Sequence, residues 1–325
     1  MIKRRIPGTS MHKSTLLLLL LLATTGVSGK TLNGFKISDP LIPARLIQRG
    51  GPPRDGIPAI DAPRFIPAAG AHHVSDTDRV LGLVVGNKAK AYPIRILNYH
   101  EIVNDRFDET PIAVTFCPLC GTGIAFVARI DGSPRHFGVS GLLYNSDVLM
   151  YDRETDSLWS QILGKAVNGP AKGKALKPVP VIHTTWADWR QRHPDTLVLA
   201  EPRSFRRDYS VDPYPGYADS KRIWFPVAHR DRRYPAKSVI IGAMINGQPY
   251  AWPFAELPRD RQTLTDRIAG LEVTIEYDPA THAARVTDAR GDEIPSFTAY
   301  WFAWVAFHPD TGVWKQSQDG SIRMR

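Results

Sequence analysis

Cysteine is almost missing from this chain of 325 residues: Cys117 and Cys120 are the only two. A scaffold stapled by several disulfides is therefore excluded. Long apolar runs are equally scarce. Even Leu16 to Ala23 falls well short of the ~20 residues that cross a bilayer. The sequence also lacks a phosphate-cradling loop, a dinucleotide fingerprint, a haem attachment motif and an H-E-x-x-H helix. Ser140-Gly141 does not form a G-x-S-x-G nucleophile elbow. Finally, strong charge of one sign is wanting. The formal +9 comes from 41 Lys and Arg against 32 acids. Setting aside Lys3, Arg4, Arg5 and Lys13 leaves 37 cations, and the net charge drops to +5. Nucleic acid is not an expected partner.

What is present at the N-terminus reads as an export signal. Those four cations precede or flank the apolar run, and Val27-Ser28-Gly29 offers small residues for cleavage before Lys30. Residues 1–29 are expected to be removed, leaving an exported chain, periplasmic or extracellular, with no permanent membrane span. Residues 30–70 are rich in Pro and Gly, as in Gly50-Gly51-Pro52-Pro53. Proline removes amide donors, so this stretch is expected to lie as an extended arm on the folded body.

The body shows an internal likeness. Val80 to Pro93 and Ile240 to Pro253 each read as two apolar strands around Gly86-Asn87 or Asn246-Gly247, dipeptides suited to tight hairpins. A second match pairs Tyr151–Gln161 with Phe307–Gln316 through Trp159 and Trp314. Strands are expected near 111–116, 123–128, 136–139, 147–152, 271–277 and 284–287, where β-branched and aromatic residues lie between turn formers. A helix is expected over 184–192, capped by Thr185 with Asp188 three residues on. Tyr300 to Trp304 reads as aromatic core. The fold expected is mainly β, two tandem diverged copies of a β-rich unit with few short helices. The first copy spans 71–202 and carries the cysteines. An irregular connection spans 203–236, and a second copy without cysteine spans 237–325.

The pair Cys117-Pro118-Leu119-Cys120-Gly121 is where chemistry concentrates. Thioredoxin-type exchange needs the first thiol at a helix N-terminus. Here Gly121-Thr122-Gly123 and a strand-like run follow instead, so a thioredoxin fold is disfavoured while redox use of the pair stays open. A disulfide across two residues closes too small a loop to stabilise much. In the metal-knuckle reading, Pro118 stiffens the turn and Gly121 accepts a positive φ, so that both sulfurs face one ion. One knuckle leaves the remaining ligands to be nitrogen or oxygen. His100 is the leading third ligand, with Glu101 as a fourth or as an orienting group, and Asp152, Met150 and His136 behind them. Asp147, Asp152, Glu154 and Asp156 also offer an acid and a base, although aspartates at strand ends commonly form turns.

Three stretches together resemble a known family: His100-Glu101-Ile102-Val103-Asn104-Asp105, Val114 to Cys120, and Leu149 to Gln161. With Trp186, Trp189 and His193-Pro194 they are similar to the exported bacterial family designated domain of unknown function 3179. That resemblance implies no reaction. The residue chemistry points to one transition ion on Cys117, Cys120 and His100, donors that suit copper or zinc, with iron a third choice. Such a protein is a metal-dependent enzyme or a metal carrier, and its small-molecule or protein partner is not specified. The alternatives are a thiol-disulfide redox protein using Cys117 and Cys120, and a periplasmic ligand-binding module with a structural cysteine loop.

Overall fold

The computed structural model describes residues 1–2, 30–259 and 262–316. Apart from its first two residues, the expected signal segment lies outside the described residues. The protein is mainly β. Five small sheets of four or five strands are set out in a propeller-like manner. Among the described residues there are three α-helices of seven residues each: α1 (Ile94–His100), α2 (Trp186–Arg192) and α3 (Trp301–Phe307). None is long and apolar enough to cross a membrane.

Two sheets are built alike. The hairpin Arg79–Val85 and Lys88–Pro93 turns at Gly86, whose φ is +62°. Its partner in likeness, Val239–Ile245 and Gln248–Pro253, turns through Asn246 and Gly247 at +48° and +78°, the backbone that such dipeptides favour. Each hairpin has an antiparallel strand on one side, Ile182–Thr185 or Ser296–Tyr300. Each has a short parallel strand on the other, Leu197–Leu199 or Gly312–Val313. A helix bridges the two flanking strands in both cases, because a parallel return needs a crossover. Thr185 caps α2 by accepting from the Asp188 amide at 3.4 Å.

The helices are fastened by matching devices. The Trp189 indole donates to the Thr196 hydroxyl at 2.9 Å, and Trp304 donates to Thr311 at 2.8 Å. Each ring lies flat on its hairpin only because a glycine stands there. A Cβ at Gly82 would sit 2.2 Å from Trp189, and one at Gly242 would sit 2.5 Å from Trp304. The expected pairing of Tyr151–Gln161 with Phe307–Gln316 does not fit this arrangement. Trp159 lies in the strand Leu158–Ser160, antiparallel to Asp147–Asp152, whereas Trp314 follows a strand parallel to the second hairpin. The counterpart of Trp304 is Trp189. The sheet containing Phe137–Tyr144, Asp147–Asp152, Leu158–Ser160 and Lys165–Asn168 has no equivalent among the described residues of the later half.

Before residue 70 the chain adds strands as well as coil: Gln48–Arg49 joins the edge of that sheet, and Phe65–Pro67 pairs with Leu197–Leu199. From 201 to 238 there is neither helix nor strand. This stretch crosses the face where the two cysteines lie, and Tyr217 and Phe225 pack into the same apolar cluster as Cys117 and Cys120.

Candidate metal centre

Two hairpin ends meet to make the site. The first is the cysteine hairpin, Thr110–Cys117 with Thr122–Val127, whose last paired residues are Cys117 and Thr122. Its loop closes with the Cys120 amide on the Cys117 carbonyl at 3.1 Å, and Gly121 takes a φ of +60°. Both thiols therefore point to the same side. The second is the hairpin Phe137–Tyr144 with Asp147–Asp152, turned at Asn145 and Ser146 with φ of +54° and +65°. The Asn145 amide group donates to the Ala306 carbonyl at 2.9 Å, and the Ser146 hydroxyl donates to the Phe225 carbonyl at 2.8 Å. That turn is held from both sides and delivers Asp147 to the sulfurs.

One ligand atom each from Cys117, Cys120 and Asp147 lie within 4.8 Å of one another. The three residues are 2%, 0% and 1% exposed, so water cannot stabilise their charges. The thiols are free and approach the Ser146 carbonyl at 3.7 and 3.4 Å. Asp147 Oδ2 accepts from the Ile162 amide at 3.2 Å, but Oδ1 has no hydrogen-bond partner of ordinary geometry. Burial pushes the Asp147 carboxyl up to about 7, although neighbouring amides and the two thiols pull the other way. Burial also raises both thiols, Cys120 more than Cys117.

Glu101 completes the surroundings. It follows α1 with φ +56° and ψ −30°, a backbone that non-glycine residues seldom adopt. Its carbonyl accepts from the Phe116 amide at 2.7 Å, which fixes it beside the cysteine strand. The carboxyl is pushed up to about 8, chiefly by burial and then by the Asp147 charge. Oε2 is buried and unpaired, and the residue lines a cavity of about 520 Å³ walled by Leu119, Val148, Tyr214 and Phe225. Four acidic groups thus share a dry region, and none of the ion pairs among the described residues includes any of them. Buried charges need a counter-charge or a metal. Two thiolates and a carboxylate around a common centre fit one transition ion.

His100 does not join this group. It is the last residue of α1, whose turn carries its ring away from the strand that follows. Its Nδ1 meets the Pro58 carbonyl and its Nε2 the Tyr209 hydroxyl, both at 2.7 Å. The strand after it pairs antiparallel with the cysteine strand, Ile102–Phe107 against Thr110–Cys117, and brings Glu101 alongside instead. Asp152 is also elsewhere: it accepts from the Thr155 amide and from the Trp159 indole, both at 2.7 Å, and shapes a turn. Met150 is core beside Trp159. His136 pairs with Glu154 at 2.9 Å, and Asp156 pairs with Arg54 at 2.6 Å. Asp147 had stood only among the acid-base candidates. The signal for it was Asn145-Ser146, a pair that tolerates the left-handed turn needed to aim the next residue.

Searches of curated proteins and of solved structures found no match. A family model described as a protein of unknown function, DUF3179, matches residues 54–311, most of the chain, and the chain belongs to that family.

Proposed function

We propose that this protein holds one transition ion on Cys117, Cys120 and Asp147 and uses it in catalysis, with Glu101 as the proton-carrying group. The observation that carries the reading is the convergence of two buried thiols and an otherwise unpaired carboxylate oxygen, with no ion pair to any of the three among the described residues. The donor set favours zinc over copper, because a hard carboxylate takes the place that imidazole had in the sequence-based expectation. Three protein donors are the number usual at catalytic rather than structural zinc sites, and such an ion supplies Lewis acidity. Glu101 supplies the rest. Its unpaired Oε2, in an apolar cavity, can hold or give up a proton near neutral pH.

Redox use of the pair is less well supported. Exchange needs an exposed thiolate of lowered pKa, and both thiols here are buried and raised. Elemental analysis of purified protein, with a free-thiol count, tests the proposal. About one zinc per chain, lost in Cys117→Ser and in Asp147→Asn, is the expected result. Metal-free folded protein with a reducible disulfide would establish the redox reading. Metal-free protein with two free thiols would leave a ligand-binding module.

A further inference from the structure

Beside the Glu101 cavity, with Asn98 and Tyr214 common to both walls, lies another of about 510 Å³. Pro118 and Gly121 belong to its wall, and Tyr300 and Phe116 give it aromatic faces. One end carries a guanidinium and two imidazoles, both imidazoles held below their usual pKa by burial and the Arg79 charge. Arg79, at the start of the first hairpin, His183 on the neighbouring strand, and His282 from a turn of the later half all line that end. Arg79 donates to the carbonyls of Thr281 and His183 but to no carboxylate. His183 Nδ1 is buried without a hydrogen-bond partner. Exposed His282 stands at the rim with φ +53°, its ring 5.1 Å from that of Phe254.

The nearest acids are engaged by other donors: Asp278, whose charge acts on His282, accepts from the Ala280 amide and the Thr281 hydroxyl, both at 2.8 Å. Asp188 acts on Arg79 only at a distance, and its carboxylate is engaged by Arg192 and Thr184. Asp212 also lines the cavity, but its Oδ1 accepts from Asn98 at 3.3 Å and from the Tyr214 amide. A half-buried guanidinium without a carboxylate partner costs solvation that something must return. Its fork suits a planar carboxylate, and an imidazole with a free nitrogen adds a further contact.

We infer that this cavity binds an organic carboxylate with an apolar body, its charged end on Arg79, His183 and His282 and its body along Phe116 and Tyr300. This does not depend on the metal centre. Isothermal titration calorimetry of the purified protein with benzoate and hexanoate, against benzamide, hexanamide and inorganic phosphate, tests it. The carboxylates are expected to bind, and the neutral amides to bind at least about tenfold more weakly, the worth of one hydrogen bond to a charged group. Arg79→Gln is expected to lose about tenfold while zinc per chain stays as in the parent. Amides binding as well as acids would overturn the inference, as would an unchanged Arg79→Gln. Phosphate binding as tightly as the carboxylates would overturn the organic assignment. Should Arg79→Gln not fold, His282→Asn decides, because Asn tolerates the left-handed backbone. Unchanged affinity there would sink the proposal, and a loss of several-fold would uphold it. A protein without metal that still binds benzoate would refute the Proposed function alone.

Discussion

Removing the metal should make this protein less stable as pH rises, and Asp147→Asn should relieve part of that loss. Burial holds the Asp147 carboxyl at about 7 in the folded chain against 3.8, and Glu101 at about 8 against 4.5. Between pH 5 and 7 both hold more protons when folded than when unfolded, Asp147 reaching half ionisation only at the upper end. The native state then binds more protons, so unfolding free energy falls with pH. Each group withdraws ~1.4 kcal/mol per pH unit, or roughly 3 kcal/mol over that window. Asp147→Asn removes one of the two contributions. It should halve the pH slope of the chelator-treated protein and raise its stability at pH 8 by up to about 4 kcal/mol, some 8 °C in midpoint at ~2 °C per kcal/mol. The same change should abolish zinc retention. Thermal unfolding followed by circular dichroism from pH 5 to 8, with and without zinc, reads both effects. An unaltered slope in the stripped Asn variant, or a stripped parent that gains stability as pH rises, would refute the reasoning.

Other outcomes follow from the same geometry. His100→Gln should keep zinc at the parent level while lowering the denaturant midpoint, because it disturbs the contacts to Pro58 and Tyr209; loss of zinc would restore His100 as a ligand. Gly82→Ala and Gly242→Ala should each cost about 1–3 kcal/mol or more in urea unfolding, since the new methyl overlaps an indole ring. Lys90→Met should cost about 3–5 kcal/mol, because it strands Asp105, to which Lys90 donates at 2.8 Å and Tyr92 at 2.5 Å, both buried. Near-parental stability would show that the buried pair contributes little to folding.

Much of the scaffold was legible in local sequence. Asn246-Gly247 marks its hairpin because only a few residues accept two successive positive φ values, and Thr185 with Asp188 marks the helix that begins at Trp186. Cys117 and Cys120 announce a shared site by spacing alone. What stayed hidden depends on contacts between distant segments. Ile94–His100 follows a hairpin strand that ends in proline and is only seven residues long, too short for periodicity to declare it. Its turn separates His100 from Glu101, adjacent in sequence yet committed to different surroundings. Trp159 and Trp314 share neighbours in sequence but not in space, so the resemblance of their segments misled. Asp147 reaches the thiols only when the Asn145 turn docks on Ala306 and Ala228, partners that no window of sequence contains.

The loop bearing the sulfurs is also a joint. The Tyr300 amide donates to the Cys120 carbonyl at 2.9 Å, the Tyr217 hydroxyl donates to the Leu119 carbonyl at 3.0 Å, and the Tyr300 ring fills the space over Gly121. A cysteine loop encoded before residue 125 is thus clamped by residues encoded after residue 210. A growing chain released early, or one clipped ahead of Ser296, would leave its thiols uncovered and the proposed ion weakly held. The cysteine loop is therefore complete only in the finished polypeptide, and any ion it takes would be enclosed only then.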